Sequence, residues 1–364
     1  MSHSEHVGRR FRRLATAGLV LVTTLALLVP GAAASAEQEG FAPVDRPGPP
    51  LTVQDSVLAG ALSCSPGVRG AKRDPVLLVP GTGGTPETVF GWNFLPAFKA
   101  GGVPYCAVTL PREAVGDIQV AAEYVVHAVR AMHADSGRRV QMLGWSQGAG
   151  PAPRWALRWW PDLRPMVNGL IAIDPPNRGS VAANALGCGL VNAMCSPAVW
   201  QQRSGSDFVG ALNSRAMTFP EVKYTVIYTR IDTLNQPNLN GYAATLPNGP
   251  NVRNVALQDV CLSAVALGAE HAQTLGNAVT NELVMDALNH PGAPADPDRI
   301  DPAACARLGQ PHSDLVAQTL GISNLYGNAL TVGIPRDAVD AEPPLRCYVY
   351  SSEALPRRCL ADEA

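Results

Sequence analysis

Five short apolar runs lie along the middle of the chain, and a longer segment with helical periodicity separates the second run from the third. Asp117 to His133 repeats apolar residues at helical spacing, and Ser136-Gly137 follows it as a stop signal. Strands and helices in alternation indicate βαβ units, so we expect an α/β fold with a mostly parallel central sheet flanked by helices. The runs that predict buried strands are Pro75 to Pro80, Tyr105 to Leu110, Val140 to Trp145, Gly169 to Asp174 and Lys223 to Thr229.

Residues 1–36 have the pattern of a secretory signal peptide. Four arginines within residues 9–13 precede an uncharged run rich in Leu, Val and Ala, and Ala34-Ser35-Ala36 forms a small-residue cleavage site. An uncleaved membrane anchor is the alternative, although the apolar core is short for a bilayer span. The pair Arg9 and Arg10 leaves both general secretion and twin-arginine export open. We therefore expect a secreted, extracellular protein.

Residues 37–50 are rich in proline and glycine, a composition that builds neither a helix nor a central strand. We expect them to form a flexible lead-in. No later segment of bilayer length lacks charges, and residues 51–364 suit one large α/β domain. The sequence thus predicts a signal peptide, a lead-in and a single domain.

Composition and charge disfavour some classes of partner. The whole chain has a formal charge of −2, and removing the four arginines and one glutamate of residues 1–36 leaves −5. This balance argues against nucleic acid or an anionic membrane as the main partner. The hydrophobic content of 46%, with 34 glycines and 32 prolines, fits a loop-rich enzyme with a substantial core.

The cysteines are even in number, which implies disulfides in an exported protein. Many pairings are possible, and spacing alone does not choose among them. The spacings contain no C-x-x-C pair, and no histidine lies at ligand spacing from a cysteine, so zinc is disfavoured. We expect no metal and no cofactor. The eight cysteines are Cys64, Cys106, Cys188, Cys195, Cys261, Cys305, Cys347 and Cys359.

The apolar run VQMLGW leads directly into Ser146, which has glycines two residues before and two residues after it. Side chains at Gly144 and Gly148 would collide where a helix doubles back over a strand. The pattern G-x-S-x-G therefore predicts a sharp strand-to-helix turn with the serine at its apex, the nucleophile elbow of α/β-hydrolases. Because so short a pattern also arises by chance, Ser146 needs identifiable partners.

A serine hydroxyl becomes a good nucleophile when a histidine takes its proton and a carboxylate orients that histidine. In an α/β-hydrolase the acid and then the histidine follow the serine along the chain. His290 lies in a proline-rich stretch, and no strand precedes His312. His271 comes at a turn after an apolar element and is the candidate base. A local cap contact is the structural alternative for it.

Two aspartates follow apolar strands, at the sheet edge where ligands bind in such folds. Asp174 comes one strand after the serine, whereas Asp232 comes a further strand later and nearer to His271. The acid in this fold class usually lies on a loop well beyond the nucleophile's own unit, which favours Asp232. Either aspartate could instead cap a local turn.

The oxyanion that forms on an attacked carbonyl needs N–H donors positioned in advance. Gln147, directly after the serine, supplies one by position, and the PGTGG segment after VLLV is the source of a second. In that segment Thr82 could add its hydroxyl to its amide. A phosphate-binding loop is the rival interpretation, but Pro86 occupies the place of the last glycine in the dinucleotide pattern.

Several motifs together resemble the Candida antarctica lipase B family, from about Leu62 to Cys359. These motifs are LLVPGTGGTP, DIQVAAEYVVHAV, GWSQGAG, AVWQQRSGS and YTRIDTLNQP. The resemblance implies an α/β-hydrolase fold with a small lid region. It also implies Ser146 as nucleophile, Asp232 as acid and His271 as base.

The same resemblance implies that Thr82 and Gln147 form the oxyanion hole and that Trp145 lines the substrate pocket. Two departures concern the pocket: Pro176 stands where the family has an acid, and Gly84 replaces a hydroxyl residue. The disulfides that the resemblance implies join Cys64 to Cys106, Cys261 to Cys305 and Cys347 to Cys359, which leaves Cys188 and Cys195 for a fourth bridge. That bridge would lie where the family has a short mobile helix at the pocket mouth, so we expect it to stiffen the lid.

We therefore expect a secreted serine ester hydrolase, a lipase acting on acylglycerols or other acyl esters through an acyl-enzyme on Ser146. Its partners would be a lipid or ester small molecule and, transiently, a lipid interface; no nucleic acid is expected, and the oligomeric state is left open. A short-chain carboxylesterase, an acyltransferase and a non-enzymatic lipid-binding protein on this scaffold are the alternatives. The apolar segment from Asn324 to Pro335 suggests a greasy entrance, or else an ordinary buried helix and strand.

Overall fold

The computed structural model describes residues 40–185, 188–190, 192–261 and 270–359. The expected signal peptide and the start of the lead-in lie outside the described residues. Within those ranges, no helix combines the length and the apolar character needed to cross a bilayer.

A seven-stranded sheet forms the centre of the described chain. Its strands are β1 (Leu62–Cys64), β2 (Val76–Val79), β3 (Tyr105–Val108), β4 (Val140–Trp145), β5 (Val167–Ile173), β6 (Lys223–Tyr228) and β7 (Val252–Ala256). Their order across the sheet is β1-β3-β2-β4-β5-β6-β7. Only the β1–β3 pair is antiparallel among these strands. The prediction of a mostly parallel α/β sheet is confirmed.

The two outermost strands are the ones that the apolar pattern did not predict. Strand β1 has three residues and is largely exposed, and β7 interrupts its apolar residues with Arg253 and Asn254. Each is paired on one side only. An edge strand buries less of its surface than a central strand, so its sequence carries no continuous apolar run.

Side chains of the central strands divide between two hydrophobic layers. Along β2, Leu77 and Val79 join one layer, while Val76 and Leu78 join the other. This alternation follows from the period of two along a strand, and it requires helices on both faces of the sheet. The α-helices of four or more residues in the described ranges are Asp55–Gly60, Pro86–Phe90, Phe94–Ala100, Ile118–Ser136, Pro151–Trp159, Val181–Asn184, Pro197–Gln201, Asp207–Leu212, Leu257–Val260, Ala278–Asn289 and Leu315–Asn328.

The expectation of a flexible lead-in is wrong for residues 40–50. The segment forms no helix, but Ala42 is fully buried and its N–H donates to the carbonyl of Val349. The buried Arg158 donates to the carbonyl of Ala42, and the indole of Trp160 donates to the carbonyl of Pro49 at 2.8 Å. Buried donors need acceptors, and this irregular backbone supplies them. The segment therefore packs onto the domain.

All eight cysteines lie in the described ranges and form four disulfides. The bridge between Cys64 and Cys106 ties the edge strand β1 to β3, at residues that are also paired in register. The bridges Cys64–Cys106, Cys261–Cys305 and Cys347–Cys359 are the three that the family resemblance implies, and Cys188–Cys195 is the fourth, formed by the two remaining cysteines.

Candidate active site

The serine turn lies at the carboxyl end of β4, in the middle of the sheet. Ser146 has a positive φ of 56°, a conformation that non-glycine residues rarely adopt and that is common at functional turns. A Cβ atom on Gly144 would overlap the backbone of Gly148, and one on Gly148 would overlap the carbonyl oxygens of Val79 and Pro80. The two glycines are therefore required by the close approach of three backbone segments.

The structure brings the three expected side chains together in series. Nε2 of His271 lies 3.1 Å from Oγ of Ser146, and Nδ1 of His271 lies 2.7 Å from Oδ2 of Asp232. His271 is 1% exposed and Asp232 is fully buried. A proton leaving the serine hydroxyl would reach the imidazole directly, and the carboxylate lies where it would stabilise the resulting cation.

The turn after β6 holds the Asp232 carboxylate. Its Oδ1 accepts the backbone N–H groups of Leu234 at 2.8 Å and of Asn235 at 2.7 Å, while Oδ2 accepts from His271. Three N–H donors directed at one carboxylate fix its orientation. The imidazole therefore faces a charged, immobile partner.

The environment of His271 makes it more basic than a free imidazole. Burial lowers the pKa of His271, but the charge and the hydrogen bond of Asp232 outweigh burial. The net result raises the pKa of His271 to about 8. The resting imidazole is thus a stronger base than usual.

Asp174, the second candidate acid, lies beside the same histidine. Its carboxylate, the carboxylate of Asp232 and the imidazole each offer an atom within 4.8 Å of the others. In the described part of the chain, this is the one group of three or more His, Cys, Asp or Glu close enough to hold a metal ion. Both imidazole nitrogens of His271 are already engaged, one with Asp232 and one with Ser146. The observed pattern is that of a hydrogen-bond relay.

Thr82 and Gln147 meet at the mouth of the serine turn. The Thr82 hydroxyl donates to Oε1 of Gln147 at 2.8 Å, and Nε2 of Gln202 donates to the Thr82 hydroxyl, also at 2.8 Å. Gln202 was not among the predicted site residues, although it lies in the AVWQQRSGS motif. The amide of Gln202 occupies a lone pair of the Thr82 oxygen, so the hydroxyl proton of Thr82 must point in another direction.

An apolar cavity opens in front of Ser146. Its volume is about 200 Å³. Trp145 and Pro176 are among its lining residues, and the replacement of an acid by Pro176 leaves that part of the wall apolar. The other apolar lining side chains include Met194, Val199, Leu234, Leu325, Ala329 and Leu330.

The segment from Asn324 to Pro335 contributes to this cavity as a helix end, not as a strand. The helix Leu315–Asn328 continues into a π-helical turn, Ala329–Gly333. Leu325 and Leu330 line the cavity from these two elements, and Leu330 remains 51% exposed. The segment thus provides the expected apolar entrance. The alternative was a buried helix and strand, and the described residues show the helix without the strand.

The other two histidines that follow Ser146 in the sequence, His290 and His312, are not part of this site. His290 follows the helix Ala278–Asn289 and pairs with Asp286, so it acts as a local cap. His312 is exposed and has a φ of 65°.

The Cys188–Cys195 bridge lies next to the cavity, because Met194 lines the cavity and Cys195 packs with Val199.

Comparison with known proteins agrees with this fold. Lipase B of Pseudozyma antarctica is 30% identical over 313 residues, which cover 85% of this chain and 89% of that protein. The crystal structure of Aspergillus fumigatus lipase B matches with a TM-score of 0.76 and 31% identity, over 85% of this chain and 74% of that chain. No protein-family profile matches the chain.

The fold and the relatives together place the protein in the class of serine lipases and carboxylesterases with the α/β-hydrolase fold. Within that class, the chain belongs to the lipase B family. This is the family that the sequence motifs resemble.

Proposed function

We propose that the protein is a secreted lipase that hydrolyses acylglycerols or other acyl esters through an acyl-enzyme on Ser146. One observation carries the proposal. An uninterrupted series of hydrogen bonds runs from Oγ of Ser146 through His271 to Asp232, at the floor of an apolar cavity. Ester hydrolysis needs a basic partner for the serine and an apolar space for the acyl chain, and this corner of the sheet offers both.

In the first step, Nε2 of His271 takes the Ser146 proton while Oγ attacks the ester carbonyl. The Nδ1–H stays bonded to Asp232, which stabilises the imidazolium. His271 then gives its proton to the departing alcohol oxygen, and the acyl group remains on Ser146. A water molecule loses a proton to His271, attacks the acyl carbonyl and releases the acid, which regenerates the serine hydroxyl.

Thr82 and Gln147 would stabilise the negative charge on the carbonyl oxygen. The backbone N–H of Gln147 follows the nucleophile directly, and the turn after β2 places Thr82 beside Gln147. In the resting arrangement the Thr82 hydroxyl donates to Gln147, so it must turn toward the oxyanion to contribute. Gln202 limits this rotation to directions away from its own amide.

The cavity favours apolar acyl chains over charged substrates. Its walls are predominantly apolar, and both Leu234 and Leu330 reach from the wall to the surface, where they are 45% and 51% exposed. Exposed leucines at the mouth of an apolar cavity suit contact with a lipid surface. We infer that acyl chains enter between these two side chains.

Export of the enzyme is supported by its cysteine chemistry. Four disulfides form and persist in an oxidising compartment. The leader pattern of residues 1–36 agrees with this compartment. We propose that the mature protein is extracellular and acts as a single domain that includes residues 40–50.

The experiment that tests the function compares the enzyme with Ser146→Ala on p-nitrophenyl butyrate and labels both with a fluorophosphonate. We expect turnover and labelling in the parent and neither in the variant, with similar thermal unfolding. Turnover by the variant would reject Ser146 as the nucleophile. Absence of labelling in the folded parent would favour a lipid-binding protein without catalysis.

A panel of esters from acetate to oleate, measured below and above the solubility limit, separates a lipase from a short-chain carboxylesterase. We expect turnover to extend to long chains and to persist above the solubility limit. Activity confined to dissolved short esters would make the protein a carboxylesterase. Product analysis with added alcohol measures transfer against hydrolysis, and dominant transfer would favour an acyltransferase.

A further inference from the structure

Asp174 is a buried carboxylate that the proposed reaction does not use. It lies just after β5, and Asp232 lies just after β6, which is the neighbouring parallel strand. Parallel neighbours end at the same sheet edge, so both aspartates reach His271. Atoms of the three side chains lie within 4.8 Å of one another.

The two carboxylates differ in their hydrogen bonds. Asp232 accepts from three N–H groups, whereas Oδ1 of Asp174 accepts one, the backbone N–H of Thr229 at 2.9 Å. Oδ2 of Asp174 is buried and has no hydrogen-bond partner. The asymmetry makes Asp232 the site of the negative charge and leaves Asp174 as the group that keeps a proton.

Electrostatics lead to the same assignment. Two buried carboxylates so close together cannot both ionise without a large penalty. Burial and then the charge of Asp232 raise the pKa of Asp174 well above the usual range of an aspartate. The titratable groups that face Asp174 are Asp232 and His271, and the hydroxyl of Thr274 also faces it.

The backbone holds Asp174 in place independently of its side chain. Its N–H donates to the carbonyl of Ile227 at 2.8 Å, and its carbonyl accepts Nδ2 of Asn235 at 2.6 Å. The carboxyl group is therefore not needed to close the turn. A buried acid with an unpartnered oxygen lowers stability, so a purely structural role would be filled better by an apolar residue.

We propose that Asp174 is a reserve acid, which stays protonated while Asp232 is ionised and becomes the carboxylate partner of His271 when Asp232 is removed. The inference rests on the proposed function and deepens it. In the intact enzyme Asp174 keeps its proton through both steps. Without Asp232 the repulsion disappears, Asp174 releases its proton to solvent, and its carboxylate turns to accept the Nδ1–H of His271.

The test is a double-mutant cycle on kcat/KM for p-nitrophenyl butyrate, using Asp232→Ala, Asp174→Asn and their combination. Asp174→Asn preserves a neutral group of the same shape, so we expect activity within about threefold of the parent. We expect Asp232→Ala to lose about 10²-fold, because Asp174 replaces the lost acid. The double variant should lose about 10⁴-fold, the usual cost of losing the triad acid.

The pH profile gives a readout that a merely structural role would not change. Asp232 is absent from both Asp232→Ala and the double variant, and Glu270, which also faces His271, is present in both. Only an ionised Asp174 can then make the pKa of His271 higher in Asp232→Ala than in the double variant. We expect the acidic limb of the kcat/KM profile of Asp232→Ala to lie at a higher pH than the acidic limb of the double variant.

A matched control combines Asp232→Ala with Asp286→Asn. Asp286 is another buried aspartate, but it pairs with Arg299 and is not part of the group around His271. We expect this combination to behave like Asp232→Ala alone. If the Asp174→Asn protein does not fold, Asp174→Ala replaces it in the cycle, with thermal unfolding of each variant as the check.

Equal activities and equal pH limbs for Asp232→Ala and the double variant would overturn the role of Asp174. A parent that does not react with a fluorophosphonate at Ser146 would instead overturn the proposed function. The two failures are thus distinguishable in one set of proteins.

Discussion

The indole of Trp145 holds His271 from its backbone side. Nε1 of Trp145 donates to the carbonyl of His271 at 3.1 Å, and the two rings lie 4.8 Å apart. Thr274 donates to the same carbonyl at 2.6 Å. The residue next to the serine in sequence therefore helps to set the position of the base, 126 residues away.

Trp145→Phe keeps an aromatic ring, although a smaller one, and removes the indole donor, so the His271 backbone gains freedom. We expect a loss of about 1 kcal/mol in the free energy of unfolding and a fall in kcat of about threefold to tenfold. Trp160→Phe is the matched control, since it removes a similar bond to the carbonyl of Pro49. Urea unfolding and ester kinetics on both variants check this. Equal kcat values for the two would show that Trp145 only fills space.

The positive φ of Ser146 predicts a difference between two inactive variants. Glycine adopts this conformation without strain, whereas alanine carries the full Cβ penalty. We expect Ser146→Gly to be more stable than Ser146→Ala by about 1 kcal/mol, although neither turns over substrate. Thermal unfolding of the two proteins measures the difference. A less stable glycine variant would mean that the turn is not strained.

The raised pKa of His271 predicts the pH dependence of activity. The base must be neutral to take the Ser146 proton, and His271 is protonated below its pKa of about 8. We expect kcat/KM to rise with pH, to reach half its maximum near pH 8 and then to level off. Rates measured from pH 6 to pH 10 check this. A profile that is half-maximal near the ordinary histidine value would contradict the effect of Asp232.

The same shift predicts that stability falls as pH rises. A histidine whose pKa is higher in the folded state than in the unfolded state stabilises the fold below pH 6.5, and this contribution disappears as pH rises through about 8. The raised pKa of Asp174 acts with the same sign, since the folded state favours its protonated form. We expect a loss of 1–2 kcal/mol, on the order of the His271 shift, between pH 6.5 and pH 8. Urea unfolding with His271→Gln as the control should show a smaller loss in that variant.

The bridge beside the cavity offers a test of the stiffened lid. The variant Cys188→Ala with Cys195→Ala should lose about 2 kcal/mol or less of stability and shift the ratio of long-chain to short-chain kcat/KM, because Met194 lines the cavity. The variant Cys347→Ala with Cys359→Ala is the control, since it removes a bridge whose neighbouring residues do not line the cavity. Unchanged chain-length preference and unchanged behaviour at an interface would refute the lid hypothesis.

The sequence by itself determined the central strands and the serine turn. Strands β2 to β6 are buried on both faces, which leaves continuous apolar runs such as VQMLGW. The turn at Ser146 could be predicted from Gly144 and Gly148, because both glycines lie within two residues of the serine. The edge strands β1 and β7 were missed because one exposed side removes the apolar run.

Tertiary structure alone decided the relationships between distant segments. Residues 40–50 read as a lead-in, yet their backbone accepts from Arg158 and Trp160, more than a hundred positions away. Asp174 and Asp232 read as alternatives, yet the pairing of β5 with β6 places both at His271. Such contacts depend on how strands pair and where their ends meet, and a local pattern of apolar and polar residues contains no information about either.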